Sequence, residues 1–310
     1  MTLLNSLLEK KLVLVTGKGG IGKSLTAASI AQYAASQGKK VCLVESNAQE
    51  QLAPLFGQER VGHKLQELSP NLFAINLNPQ DNFRDFVVLH LGFAKLFEKV
   101  FTKPLVKSFI NMLPGISELT LLGRLYYFSQ LDDKHNFDMV VLDGFASGHF
   151  MSLLKTPDAV LDSGMVGPVI KETKMVKDFI FDERYVSVVL VTMPENLIVS
   201  EAIDFSERFK TEIPVPHSHV IVNRCLLLDE SEEQALKSAS SMELAVRYMK
   251  ARLESESSSL QRLKQGLHNI YQGLQKEPQL LLLPDLGAVD EPLSGQFARS
   301  WFDQAEGVSF

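Results

Sequence analysis

The chain has 310 residues, 45% apolar and 22% charged, with a net charge of −6 at neutral pH. That composition excludes a disordered chain and allows one large α/β domain or two smaller ones. It offers no diffuse basic field, so no nucleic-acid partner is expected.

Met1 to Lys11 carries Leu3, Leu4, Leu7 and Leu8 but no basic leader, and its apolar stretch is too short for a signal peptide. No apolar run approaches the ~18 residues of a membrane span. A cytoplasmic protein with at most peripheral membrane contact is expected.

Leu12 to Val15 reads as a buried parallel strand. Directly after it, Gly17, Lys18, Gly19, Gly20, Ile21, Gly22, Lys23 and Ser24 fit G-x-x-x-x-G-K-[ST], the phosphate-binding loop of nucleoside triphosphatases. A helix from Leu25 then runs to about Gly38. Strand, loop and helix make the context in which such glycines turn backbone N–H groups onto phosphate oxygens at a helix N-terminus. Lys23 would face the β- and γ-phosphates, and Ser24 would give its hydroxyl to Mg²⁺. The alternative is a glycine-rich turn that matches by accident.

Val41 to Val44 and Leu72 to Leu77 read as the next strands, the first ending at Glu45-Ser46-Asn47-Ala48-Gln49. From Asp81 to about Leu131 the texture is helical. Phe83, Phe86, Phe93, Phe97 and Phe101 keep a helical period, with Phe109 beyond, and Pro104 and Pro114-Gly115 break the segment. Two readings stay open: a helical insertion packing its own core, or a groove for a hydrophobic client.

Met139 to Leu142 is a strand delivering Asp143 to its end; Val186 to Val191, His219 to Val222 and Leu280 to Leu283, read as the last, are others. Residues 229–276 form a polar helical insertion with a stripe of Leu253, Leu260, Leu263, Leu267, Ile270 and Leu274. The two cysteines, Cys42 and Cys225, form no C-x-x-C pair and read as buried thiols. Strands alternating with helices imply an α/β fold: a doubly wound, mostly parallel sheet with its site at the carboxyl ends of the strands. The expected organisation is one domain over residues 1–310, with helical insertions at about 81–131 and 229–277.

With Lys18 directly after Gly17, the loop resembles that of the dimeric "deviant" P-loop class, which includes the arsenite-pump ATPase ArsA, the tail-anchored-protein targeting ATPases, nitrogenase iron protein and the Min/Par ATPases. Asp143-Gly144-Phe145-Ala146-Ser147-Gly148-His149, followed by Leu153-Leu154-Lys155-Thr156-Pro157, resembles the D-T-A-P-T-G-H switch, leucine-rich turn and proline of the ArsA and targeting families. Weaker matches extend it: Val191-Thr-Met-Pro-Glu195 is similar to V-T-L-P-E, and Pro114-Gly-Ile-Ser-Glu118 to P-G-I-x-E.

The resemblance implies ATP and Mg²⁺ as cofactors and a switch that closes with nucleotide. Lys18 would act in trans, in a homodimer or a heterodimer with a paralogous ATPase. Gly17 to Leu25 would bind nucleotide, Ser24 and Asp143 would hold the metal, and Gly148 would sense the γ-phosphate. Asn223 would read adenine under the loop at Pro284. The family's switch I aspartate falls on Asn47, whose amide is no useful base; Glu45 is a substitute carboxylate. Slow hydrolysis is therefore expected.

Gly144 and Ala146 stand where the family has threonine and proline, which implies a looser switch. The C-x-x-C clasp and the metalloid cysteines are missing, and the insert between Pro157 and Val186 is short. These count against arsenite transport and tail-anchored clients. The rival readings are a pseudo-ATPase scaffold paired with an active paralogue, a chaperone for hydrophobic clients, and a metabolic P-loop enzyme.

Overall fold

A computed structural model describes residues 2–46, 50–91, 115–164, 167–214, 219–240, 243–274, 277–287 and 291–308. In chain order its elements are α1 (Thr2–Leu8), β1 (Leu12–Gly17), α2 (Lys23–Ser36), β2 (Val41–Glu45), α3 (Leu52–Leu55), β3 (Gln66–Ser69), β4 (Leu72–Asn76), α4 (Pro79–Leu91) and α5 (Ile116–Tyr126). A π-helical turn at Tyr127–Leu131 leads to β5 (Met139–Ala146), α6 (Ser147–Asp162), α7 (Pro168–Ile180), β6 (Val186–Thr192) and α8 (Asn196–Glu212). Then follow β7 (His219–Cys225), α9 (Glu230–Ser238), α10 (Leu244–Tyr271), β8 (Gln279–Pro284), α11 (Gly295–Asp303) and β9 (Glu306–Val308).

The nine strands form one sheet in the order β3-β4-β2-β5-β1-β6-β7-β8-β9. Only the outer pairs, β3 with β4 and β8 with β9, are antiparallel. The inner strands are buried on both faces, so their sequences are near-continuous apolar runs rather than alternations. Along β1, Leu12 and Leu14 face one core and Val13 and Val15 the other, as the two-residue period requires. The first core packs α5 to α8 and α10; the second packs α1, α2 and α11. Both cysteines are buried free thiols, and burial drives both thiol pKa values up, that of Cys225 to about 12.

The sheet has two strands beyond those read from the sequence, the four-residue β3 and the three-residue β9, so Leu280–Leu283 is not the last strand. Leu153 to Pro157 is not a turn but lies inside α6, where Phe150, Leu153, Leu154 and Val160 keep a helical spacing and all are buried. Strands β5 and β7 run past Asp143 and Asn223, to Ala146 and Cys225. The Asp81–Leu131 insertion contributes α4, α5 and the π turn. Phe93, Phe97, Phe101, Phe109, Pro104 and Pro114 fall outside the described residues, as does the side chain of Phe86. The polar insertion is α9, opened by a capping box of Asp229 and Glu232, and α10, whose stripe buries Leu263 and Leu267.

Candidate active site

Strand β1 lies between β5 and β6, so the loop after it opens at the middle of the sheet's carboxyl edge. Gly22, the residue before α2, has φ 91°, and a Cβ there would lie 2.3 Å from Asn223 Nδ2. Only glycine meets both constraints. The neighbouring departure at Gly144 has a similar cause: a Cβ on this backbone would sit 2.2 Å from the Val15 carbonyl oxygen. The close approach of β5 to β1 thus leaves no room for a threonine.

The two cations of the loop are held differently. Lys23 Nζ donates to the Lys18 carbonyl at 2.8 Å. Burial lowers its pKa, and the Asp143 charge opposes that. Lys18 Nζ turns to Glu201 Oε1 on α8 at 2.6 Å, a half-exposed ion pair.

Asp143 is 3% exposed, and neither carboxylate oxygen has a hydrogen-bond partner of normal geometry among the described residues. Desolvation lifts its pKa from 3.8 to about 6; the nearby Ser24 hydroxyl pulls it back, the Glu45 charge adds to the rise, and Lys23 opposes it. A buried carboxylate with unsatisfied oxygens beside a serine hydroxyl is a hard oxygen donor set, and it fits Mg²⁺. Among the described residues no group of three or more His, Cys, Asp or Glu side chains gathers as a metal site.

Glu45 stands opposite Asp143 in the β2–β5 register. It is buried, and its carboxylate accepts the Gln51 N–H at 2.6 Å and the Leu52 N–H at 3.3 Å, capping α3. Asn47 lies outside the described residues. Gly148 is exposed in the first turn of α6. Beside it, His149 stacks on Phe145 at 4.2 Å between ring centroids and reaches Glu118 Oε1 at 3.3 Å. The Thr16 hydroxyl ties this segment to β1 by donating to the Phe145 carbonyl at 3.0 Å.

Asn223 is buried against the loop. Its Nδ2 donates to the Ile21 carbonyl at 2.9 Å, and its Oδ1 accepts from the Arg224 N–H at 2.9 Å. The Pro284 carbonyl accepts from the Trp301 indole at 3.2 Å. The structure thus gathers Lys23, Asp143 and Glu45, and sets Asn223 against the loop. Sequence reasoning missed Glu201: an acidic residue on a helix face carries no signal. The Asn223–Ile21 bond joins residues 202 positions apart.

A glycine loop at the switch point of a parallel sheet, with a lysine in it and an unsatisfied carboxylate on the neighbouring strand, is the arrangement of the P-loop nucleotide-binding fold. The family described as anion-transporting ATPase, of the ArsA type, matches residues 10–166, just over half of the chain, and the chain belongs to that family. Similar proteins include ATPase BagA of Mycobacterium tuberculosis, 27% identical over 69% of this chain and 65% of that protein. ATPase GET3B of Arabidopsis thaliana is 26% identical over 70% and 65%. An arsenical pump-driving ATPase of Acidiphilium multivorum is 24% identical over 72% and 41%. The chain thus spans less than two thirds of the length of these relatives. No described helix is long and apolar enough to cross a membrane.

Proposed function

We propose that the chain is an ATP- and Mg²⁺-dependent dimeric switch of the cytoplasm with slow intrinsic hydrolysis. The observation that carries this reading is the loop cation Lys23 beside Asp143, a buried carboxylate whose oxygens lack hydrogen-bond partners among the described residues. Residues Gly17 to Leu25 would cradle the phosphates with backbone N–H groups, and Lys23 would leave the Lys18 carbonyl for phosphate oxygens. Ser24 and Asp143 would hold Mg²⁺, which would supply charge neutralisation on the β- and γ-phosphates. Gly148 would sense the γ-phosphate; Asn223 and Pro284 would face the base. Lys18 would exchange Glu201 for the nucleotide of a second subunit, a copy of this chain or a paralogue. Asn47 would orient water without taking its proton.

Calorimetry with Mg-ATP tests the reading. Lys23→Ala is expected to abolish measurable binding, and tight binding by that variant would overturn the assignment.

A second reading, a hydrophobic client, is favoured by one observation. A cavity of about 630 Å³ between α4, α5 and α7 is lined by Leu119, Tyr126, Tyr127, Leu131 and Met175 together with the charged Asp85, Arg124, Lys171 and Glu172, and Leu131 and Met175 are exposed. Recovery of apolar helical segments with the protein from cells would support it. A protein purified free of them, with nucleotide switching intact, would count against it.

A further inference from the structure

Helix α10 begins with no buried side chain; its apolar packing lies in its second half, at Leu263, Leu267 and Tyr271. Its first half is fixed instead by polar contacts: Lys250 Nζ donates to the Lys237 and Ala239 carbonyls at the end of α9, at 2.9 and 2.8 Å, and Arg252 ties it to the sheet. Arg252 Nε donates to Glu256 Oε1 at 2.6 Å, and its Nη2 donates to Asp285 Oδ2 at 2.7 Å and to the Arg224 carbonyl at 3.2 Å. The other Glu256 oxygen accepts the Leu226 N–H at 2.7 Å, and the Asp285 N–H donates to the Cys225 carbonyl at 2.9 Å. One guanidinium therefore joins α10 to the exits of β7 and β8.

The exit of β7 needs such support. Arg224 has φ 61°, in the left-handed region that residues with a side chain disfavour. Two bonds hold it there: its N–H to Asn223 Oδ1 and its carbonyl to Arg252. Asn223 in turn donates to the Ile21 carbonyl, and its amide leaves no room for a Cβ on Gly22. The contacts run without a gap from Arg252 through Arg224 and Asn223 to Ile21 and Gly22. We propose that Arg252 is a positioning residue of the phosphate loop, acting from α10 through Arg224 and Asn223. The effect on nucleotide rests on the ATP reading above; the effect on the loop does not.

The test is hydrogen exchange on nucleotide-free full-length protein. In Arg252→Gln, the peptides over residues 17–27 and 223–227 are expected to exchange about tenfold faster, the loss of one charge-assisted bond's worth of local stability. The peptide over residues 139–143 is the control and stays unchanged. Arg252→Lys should behave like Arg252→Gln, because an ammonium lacks the planar fork that reaches three acceptors at once. If Arg252→Gln does not fold, Asp285→Asn removes one arm of the junction and is read in the same way. In Mg-ATP binding, Arg252→Gln is expected to weaken affinity about tenfold and to be less than additive with Asn223→Ala.

Faster exchange confined to 223–227, with the loop peptide unmoved, would overturn the proposal, as would fully additive effects of the two substitutions. Wild-type protein that binds no ATP would sink the nucleotide reading alone, and the exchange result would still decide the role of Arg252.

Discussion

Asp143→Asn isolates the cost of the buried carboxylate. A group carried from 3.8 to about 6 is penalised on ionising in the fold by about 3 kcal/mol, at about 1.4 kcal/mol per pH unit. Its folded pKa lies above the unfolded one, so between pH 4 and 6 the folded chain binds more protons than the unfolded chain. Stability therefore falls as pH rises through that window, and the penalty is fully present above it. The asparagine variant carries no such titration. Its amide is buried without evident partners and costs about 1–3 kcal/mol at every pH, which offsets the gain at neutral pH but not the slope. Thermal melts of both proteins in EDTA, from pH 4 to 7.5, should show wild type losing about 5 °C relative to the variant. Other titrating groups cancel in the comparison. Mg-ATP should restore wild type at pH 7.5 and leave the variant unmoved. A melting difference flat across this range, or one moving the other way, would refute the reasoning.

Glu201→Gln releases Lys18 from an exposed ion pair worth at most about 1 kcal/mol. Association driven by Mg-ATP, followed by light scattering, should strengthen up to about fivefold at low salt, with the gain fading as salt screens the pair; equal association at every salt would show that Glu201 does not hold Lys18 back. Asn47→Asp should raise ATP turnover at least tenfold, a threshold set below the roughly 10²–10⁴-fold that a general base supplies. Wild-type turnover already near 1 s⁻¹, the low end of ordinary rates, and unchanged by Glu45→Gln, would end the case for slow hydrolysis.

The inner sheet was legible because strands buried on both faces must be apolar runs. The phosphate loop was legible because Gly17 and Gly22 stand at positive φ with a neighbour 2.3 Å from where a Cβ would lie, a geometry that no other residue meets. What escaped was set by contacts between distant parts of the chain. Strand β3, Gln66–Ser69, and strand β9, Glu306–Val308, are short and partly exposed, so neither alternation nor apolarity marks them. Leucines 153 and 154 with Pro157 read as a turn because they resemble the family's leucine-rich turn and proline, yet burial of that face keeps α6 intact. Gly144 read as a departure weakening the switch; its cause, the Val15 carbonyl 2.2 Å from where a Cβ would stand, appears only once β5 lies against β1. No pattern in the sequence announces that Arg252, on a polar helix, reaches the exits of two strands.

The two outermost strands are also the only antiparallel ones, and each carries an exposed glutamate, Glu67 on β3 and Glu306 on β9. Short, acidic margins of this kind resist the addition of another chain's backbone, because like charges would meet along the new ladder. A sheet continued from one copy into the next, the simplest route to fibres, is therefore disfavoured at both rims.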